Sequence, residues 1–200
     1  MKIVWLIGNP GAGKTTLAAN LSLRLQSKGY TVASLDADRF WEGKPRTFTE
    51  AGRIEASATV AQAIADDVNA RGAAVGVVST CAPSVACRDA IRAVLGDAVR
   101  FVVVQASKDT LKRRRAALYA DAEQGNIDWV DFEPCADALA VVDTDKTTPG
   151  AAAVYVINAM QGKVQGLGDL VKAFLPDMQC GACNRRRLAL NAVMGRRGLR

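Results

Sequence analysis

The sequence predicts an α/β fold, a five-stranded parallel sheet with helices on both faces. Three observations predict it. Short β-branched runs alternate with longer helical stretches, the strands are apolar on both sides rather than alternating, and the first strand runs into a glycine-rich loop that opens a helix.

The elements follow in order. Ile3–Ile7 is an apolar run ending at a glycine. A helical pattern then runs from Lys14 to Lys28, where Gly29 supplies a natural terminator. Thr31–Leu35 reads as a second strand and Glu50–Ala70 as a long Ala-rich helix closed by Arg71 and Gly72. Ala73–Ser79 and Val99–Val104 are further strands, flanked by helices at Ser84–Leu95 and Lys108–Ala122. Ala138–Val142 is the fifth strand. Thr148 and Pro149 start a last helix, with proline in the first turn where its missing N–H is not needed. Asp121–Asp137 lacks clean periodicity and is rich in acids, so it reads either as a flap over the site or as a surface loop.

The glycine loop carries the chemistry. Gly8, Asn9, Pro10, Gly11, Ala12, Gly13, Lys14 and Thr15 fit the phosphate-binding P-loop pattern in full, with Thr16 next in the helix. Glycines let backbone N–H groups point inward at phosphate oxygens, and the helix that follows adds the partial positive charge of its first turn. Lys14 is expected to reach the β- and γ-phosphates of ATP and Thr15 to offer its hydroxyl to Mg²⁺. The fold class sharpens accordingly to a P-loop NTPase of the nucleotide-kinase type.

Two absences narrow the class. The third strand ends Val77, Val78, Ser79, Thr80, without the Asp-Glu pair by which many ATPases hold Mg²⁺ and activate water. No Asn-Lys-x-Asp guanine-reading motif is present. Acids instead follow the second strand, as Asp36 and Asp38, whose carboxyl end faces the same crevice as the P-loop. Spaced by two in extended chain, both carboxylates can face one side, one acting on Mg²⁺ through water and the other accepting a hydroxyl proton. A turn with two solvated acids is the competing reading.

Length and composition agree with one domain. Of 200 residues, 50% are hydrophobic and 23% charged, ordinary for a globular chain. No apolar run is long enough to span a bilayer and no signal-peptide pattern opens the chain, so a cytoplasmic location is expected. Lys and Arg number 26 against 20 Asp and Glu, and the excess is local: residues 177–200 hold six Arg and one acid. The body is nearly neutral, which argues against a uniformly basic nucleic-acid binder. The expected organisation is a kinase domain over residues 1–176, with a lid-like segment near 121–137, and a basic Cys-x-x-Cys tail over 177–200. Five Cys and no His suit a reducing compartment, with Cys81, Cys87 and Cys135 isolated and expected to be structural.

On these residues the sequence resembles the adenylylsulfate (APS) kinases from about Lys2 to Ala159. Their Gly-x-x-Gly-x-Gly-Lys-Ser/Thr-Thr loop is matched by Gly8–Thr16 and their Asp-Gly-Asp by Asp36, Ala37 and Asp38. Phe-Ser/Thr-Glu-x-x-Arg-Ile-Glu is matched by Phe48–Glu55, Gly-Leu-Tyr by Ala117–Tyr119, and a Val-Asp-Thr strand end by Val142, Asp143 and Thr144. The resemblance implies a five-stranded kinase core that phosphorylates a hydroxyl with ATP. Asp38 would be the base, Asp36 would help with Mg²⁺, and Phe48 would stack on an acceptor ring while Arg53 pairs with its anionic group. Stacking and a forked guanidinium suit a nucleotide-like acceptor on physical grounds too. The competing readings are core packing for Phe48 and a solvated helix face for Arg53. Asp143 and Thr144 are carried over to the nucleotide site.

The chain departs from the family on the acceptor side. An arginine usual after Asp-Gly-Asp falls at Trp41, which is kept as an acceptor-site residue, and an asparagine falls at Ala56. Ser-Pro-Tyr-Arg reads Ala82, Pro83, Ser84, Val85, and the Phe-Thr-Gly-Ile-Asp lid stretch has no clear match in Asn126–Asp137. Phosphotransfer is therefore expected with the acceptor undecided. Among Lys112, Arg113, Arg114 and Arg115, the register assigned to the family's lid arginine is Arg113, although several registers are open.

The tail reads Cys180, Gly181, Ala182, Cys183, Asn184 and three arginines. One Cys-x-x-Cys is half a zinc site, and inert thiols and a solvated basic segment are the expected reading. Such a segment also suits nucleic-acid phosphates or an acidic partner. Two other functions stay open: a kinase for a hydroxyl on nucleic acid, such as a hydroxymethylated base, and a non-catalytic ATP-dependent switch. A homodimer is compatible with the sequence; a membrane is not expected.

Overall fold

The computed structural model describes residues 1–45, 47–118 and 131–162. The strands are β1 (Lys2–Ile7), β2 (Val32–Asp36), β3 (Val75–Thr80), β4 (Val99–Gln105) and β5 (Ala140–Asp143). The helices are α1 (Lys14–Gln26), α2 (Ala37–Phe40), α3 (Glu50–Arg71), α4 (Val85–Leu95), α5 (Lys108–Leu118) and α6 (Pro149–Met160), with a short 3₁₀ turn at Gly96–Ala98. All pairings are parallel, in the order β2-β3-β1-β4-β5. The fold is the expected P-loop kinase fold.

Strand β1 shows how one sequence fills two cores. Val4 and Leu6 face one side, and Ile3, Trp5 and Ile7 the other, the period-two alternation of a strand. Val4 and Leu6 pack with Leu17 and Leu21 of α1, Val102 and Val104 of β4, and Tyr155 and Val156 of α6. Ile3, Trp5 and Ile7 pack with Val60 and Ile64 of α3, Cys87 and Ile91 of α4, and Phe101 of β4. Both faces are dry, which is why the strands read as continuous apolar runs.

Local sequence sets the helix ends. The Thr49, Ser84 and Thr148 hydroxyls accept from the N–H groups of Gly52, Cys87 and Ala151, capping α3, α4 and α6. Each such cap is worth about 1 kcal/mol. Gly72 ends α3 in the left-handed conformation, at φ 58°.

The register brings the functional ends together. Ile7 lies opposite Thr80 and Val103, Asp36 opposite Ser79, and Gln105 opposite Asp143. The loops that follow all five strands therefore leave one edge of the sheet, where ligands of open α/β sheets bind. The helix expected over Lys108–Ala122 is described as far as Leu118. Tyr119, most of the lid-like segment and the tail with Cys180 and Cys183 lie outside the described residues. Among the described residues no helix is long and apolar enough to cross a membrane.

Candidate active site

The P-loop leaves β1 at Gly8, where a side chain has no room: a Cβ there would stand 2.0 Å from the Val104 carbonyl oxygen. Gly13, at φ 95°, turns the chain into α1. Between them Ala12 N–H donates to the Asn9 carbonyl at 3.0 Å, closing the loop around Pro10 and Gly11. Lys14 Nζ also donates to the Asn9 carbonyl, at 3.0 Å. Burial pushes the Lys14 ammonium below its ordinary pKa; the acidic groups of Cys81, Asp38 and Asp36 oppose the shift and Arg115 adds to it. A desolvated cation beside a glycine loop at the start of a helix suits a phosphate. Thr15 and Thr16 sit exposed in the first turn of α1.

Asp36 is the hub of the next layer. Thr15 Oγ1 donates to its Oδ2 at 2.7 Å and Ser79 Oγ to the same oxygen at 2.8 Å. Its Oδ1 accepts from Asp38 N–H at 2.9 Å and, more weakly, from Arg39 N–H at 3.4 Å. Burial alone would raise this carboxyl; the Thr15, Ser79 and backbone hydrogen bonds outweigh it and hold the group below the usual carboxylate range. The extended Asp-x-Asp expected from spacing is thus replaced by a helix start. Asp36 caps α2, and Asp38 lies inside its first turn. The competing reading, two solvated acids in a turn, fails for Asp36, which is tied to α1 and β3. Ser79, at the end of β3, was not singled out in the sequence because a strand-end serine carries no motif; its register opposite Asp36 is what matters.

The oxygen set fits Mg²⁺. Thr15 Oγ1, Asp36 Oδ2 and Ser79 Oγ are hard donors converging beside the phosphate loop, and a hydroxyl that donates to Asp36 keeps lone pairs for a cation.

The structure distinguishes the neighbouring arginines of α5. Arg113 is exposed and, among the described residues, bonds back along α5 to Thr110 Oγ1, at 3.4 Å. Arg114 meets the P-loop instead: its Nη1 donates to the Gly11 carbonyl at 3.2 Å and to Thr144 Oγ1 at 2.9 Å. Its Nη2 donates to the Thr144 carbonyl at 3.4 Å. Thr144 Oγ1 donates in turn to the Ala12 carbonyl at 3.0 Å. Adjacent helix residues point about 100° apart, so one register step carries the side chain from solvent to the loop. Arg115 is half-buried on the same side, its Cγ 3.4 Å from where a Gly11 Cβ would stand. Asp143 is held in a local turn, accepting from Asp145 N–H at 3.0 Å and pairing with Lys146 Nζ at 3.0 Å.

The opposite wall is built from three loops. Phe48, on the approach to α3, is 65% exposed, so core packing is not its role. Gly52 lets this approach fold back on the helix, because a Cβ there would meet Thr47 Oγ1 at 1.8 Å. Arg53 is half-buried and acts electrostatically on the Cys81 thiol, as Lys14 and Asp38 do. It is not a solvated helix-face cation. Lys14, Asp38 and Arg53 all act on the charge of Cys81, so α1, α2, α3 and the loop after β3 come together at the crevice where open α/β sheets bind ligands. Cys81 borders that crevice rather than filling a core, and burial pushes its thiol up despite the two cations. Cys87 is a plain core thiol. Trp41 is taken up by packing, half-buried against the α3–α4 core and edge-on to Phe40 with ring centroids 5.2 Å apart.

The loop after β3 carries the one non-glycine residue with positive φ among those described, Ala82 at φ 37°. Such a conformation costs about 1–3 kcal/mol. Arg88, 2% exposed within α4, spans this loop: Nη1 donates to the carbonyls of Ala82 (3.5 Å) and Pro83 (3.0 Å). Its Nη2 donates to the carbonyls of Glu133 (3.2 Å) and Pro134 (2.9 Å). Sequence reading missed Arg88, since an arginine on an amphipathic helix reads as a surface group.

Comparison with known proteins places this geometry. The adenylylsulphate kinase family model matches residues 1–132. The adenylyl-sulfate kinase of Halothermothrix orenii is 30% identical over 173 residues, 80% of this chain and 89% of that protein. A probable adenylyl-sulfate kinase of Aeropyrum pernix is 27% identical over 174 residues, 82% of this chain and 94% of that protein. The structure of the Mycobacterium tuberculosis APS kinase with AMPPNP and APS superposes with a TM-score of 0.68 at 24% identity, over 80% of this chain and 97% of that one, a likeness of fold.

Proposed function

The chain belongs to the adenylylsulphate kinase family, and on that premise we propose that it moves the γ-phosphoryl of ATP onto a hydroxyl of a nucleotide-like acceptor, adenylyl sulfate being the first candidate. The class is that of P-loop phosphotransferases with a hydroxyl acceptor. The observation that carries the finer reading is the gathering of Lys14, Asp38 and Arg53 around one crevice, with the phosphate loop on one side and the exposed Phe48 on the approach to the other.

In this reading Gly8–Thr15 cradles the ATP phosphates and Lys14 leaves the Asn9 carbonyl to bind β- and γ-oxygens. Arg114 and Thr144 brace the loop from outside by holding the Gly11 and Ala12 carbonyls, which turns the N–H groups inward. Thr15 would hold Mg²⁺ directly and Asp36 through water; when bound, the cation neutralises charge between the β- and γ-phosphates. Asp38 accepts the proton of the attacking hydroxyl, while Arg53 and Phe48 seat the acceptor by ion pairing and stacking. A cytoplasmic location fits a reaction that uses ATP.

The test is transfer from radiolabelled ATP to a panel of adenylyl sulfate, free nucleosides, sugars and hydroxymethylated DNA. Label on adenylyl sulfate or a related nucleotide is expected. If ATP binds while every acceptor stays unlabelled, the kinase reading is wrong, and label on DNA alone would move the acceptor to nucleic acid.

A further inference from the structure

We propose that Arg88 is a positioning residue for the acceptor side, holding the loop Cys81–Ser84 in its strained form and fastening it to the segment Phe132–Asp137. The inference rests on the kinase reading for its kinetic arm only.

A guanidinium buried to 2% exposure is costly unless its donors are satisfied, and here the bonds run to four backbone carbonyls in two distant segments. Two of those carbonyls belong to Ala82 and Pro83, so the cation sits under the residue with φ 37° and offsets its unfavourable backbone. One residue earlier is Cys81, the part of this loop on whose thiol Lys14, Asp38 and Arg53 act electrostatically. The position of the crevice wall is thereby set by a residue that does not line it.

The second segment is fastened from several directions. Glu133 N–H donates to the Pro83 carbonyl at 3.1 Å. The Glu133 carboxylate accepts from Val85 N–H at the start of α4. Phe132 and Cys135 pack against the α3–α4 core. Among the described residues Arg88 alone donates into both segments, and its planar fork suits two pairs of carbonyls in a way that a lysine ammonium does not.

The experiment compares wild type, R88K and R88Q in two measurements. In hydrogen exchange, the amides of Val85 and Glu133, which bond across the two segments, should lose protection together in R88Q and partly in R88K, with β1 and α1 unchanged. In steady-state kinetics, the acceptor KM should rise about tenfold or more in R88Q, as expected for lost charged hydrogen bonds, with the KM for ATP within about twofold. Protection lost uniformly over the chain, or wild-type protection at both amides, would overturn the proposal. So would equal rises in both KM values. Because hydrogen exchange needs no turnover, it decides the role of Arg88 even if wild type proves inactive on every acceptor, which is the separate failure of the kinase reading.

Discussion

The two walls of the crevice are built in opposite ways. The donor wall is one stretch of chain, Gly8–Thr16, braced by Arg114 and Thr144 at the Gly11 and Ala12 carbonyls and tied to Asp36 through Thr15. The opposite wall, which the proposed function gives to the acceptor, is assembled from Asp36–Phe40, Thr47–Arg53 and Cys81–Val85, segments distant in sequence, with Phe132–Asp137 fastened to the last of them by Arg88. A local motif carries its geometry in its own residue types, because loop, glycines and helix start form together. A composite wall depends on register, on helix rotation and on buried donors. Substitutions on the donor wall should therefore act on ATP, and those on the acceptor wall on the acceptor, unless they touch the residue that serves both.

Asp38 is that residue. In the proposed mechanism Asp38, placed in the first turn of α2 and acting electrostatically on Lys14, takes the hydroxyl proton. D38N should lower kcat by about 100- to 10,000-fold, with ATP affinity within about twofold by direct titration. Unchanged turnover would remove the base from the mechanism and favour a non-catalytic switch.

The next effect separates two neighbouring arginines. R114A removes bonds to the Gly11 carbonyl and to Thr144, whereas R113A removes one long contact to Thr110. Loss of charged hydrogen bonds predicts an ATP KM about tenfold higher for R114A, and one within about twofold of wild type for R113A. The reverse order would restore the assignment made from sequence.

Why sequence alone leaves the arginine register open is a physical matter. The alternation of apolar strands and helices fixes the sheet, and the glycine loop identifies its phosphate end, because both signals are carried by spacing along the chain. The rotation of α5 is not: four consecutive cations give no apolar stripe to say which faces inward. Asp36 and Asp38 read as an extended pair, with a turn of solvated acids as the alternative, until Ser79 and Thr15 are brought to Asp36 by the register of β2 against β3. Arg88 carries no sequence signal because its partners are carbonyls, which leave no mark in sequence.

F48A gives a smaller and more selective effect on the acceptor wall. A side chain 65% exposed contributes little to the core, so stability should change by no more than about 0.5 kcal/mol in thermal or denaturant unfolding. If the ring stacks on the acceptor, the acceptor KM should still rise, with the ATP KM unmoved. A large stability loss would mean that Phe48 packs within the protein after all.

The smallest effect probes the rim where Arg92 of α4 bonds Asp137 and Asp89. Burial acts to raise the Asp137 carboxyl, but the Arg92 hydrogen bond and charge outweigh it and hold the group below its ordinary value. A carboxyl depressed in the folded state stabilises the fold above its unfolded pKa, and that contribution is lost as pH falls through the folded value. Asp137 is 63% exposed, so solvent screening limits the pair to about 1 kcal/mol or less. D137N should therefore lower stability slightly at neutral pH and not at all once the wild-type carboxyl is protonated. Urea titrations of both proteins from pH 7 down to the acid limit should converge. A gap persisting in acid would show that Asp137 acts through its backbone turn, placing the anchorage of this segment on Arg88 and Glu133 alone.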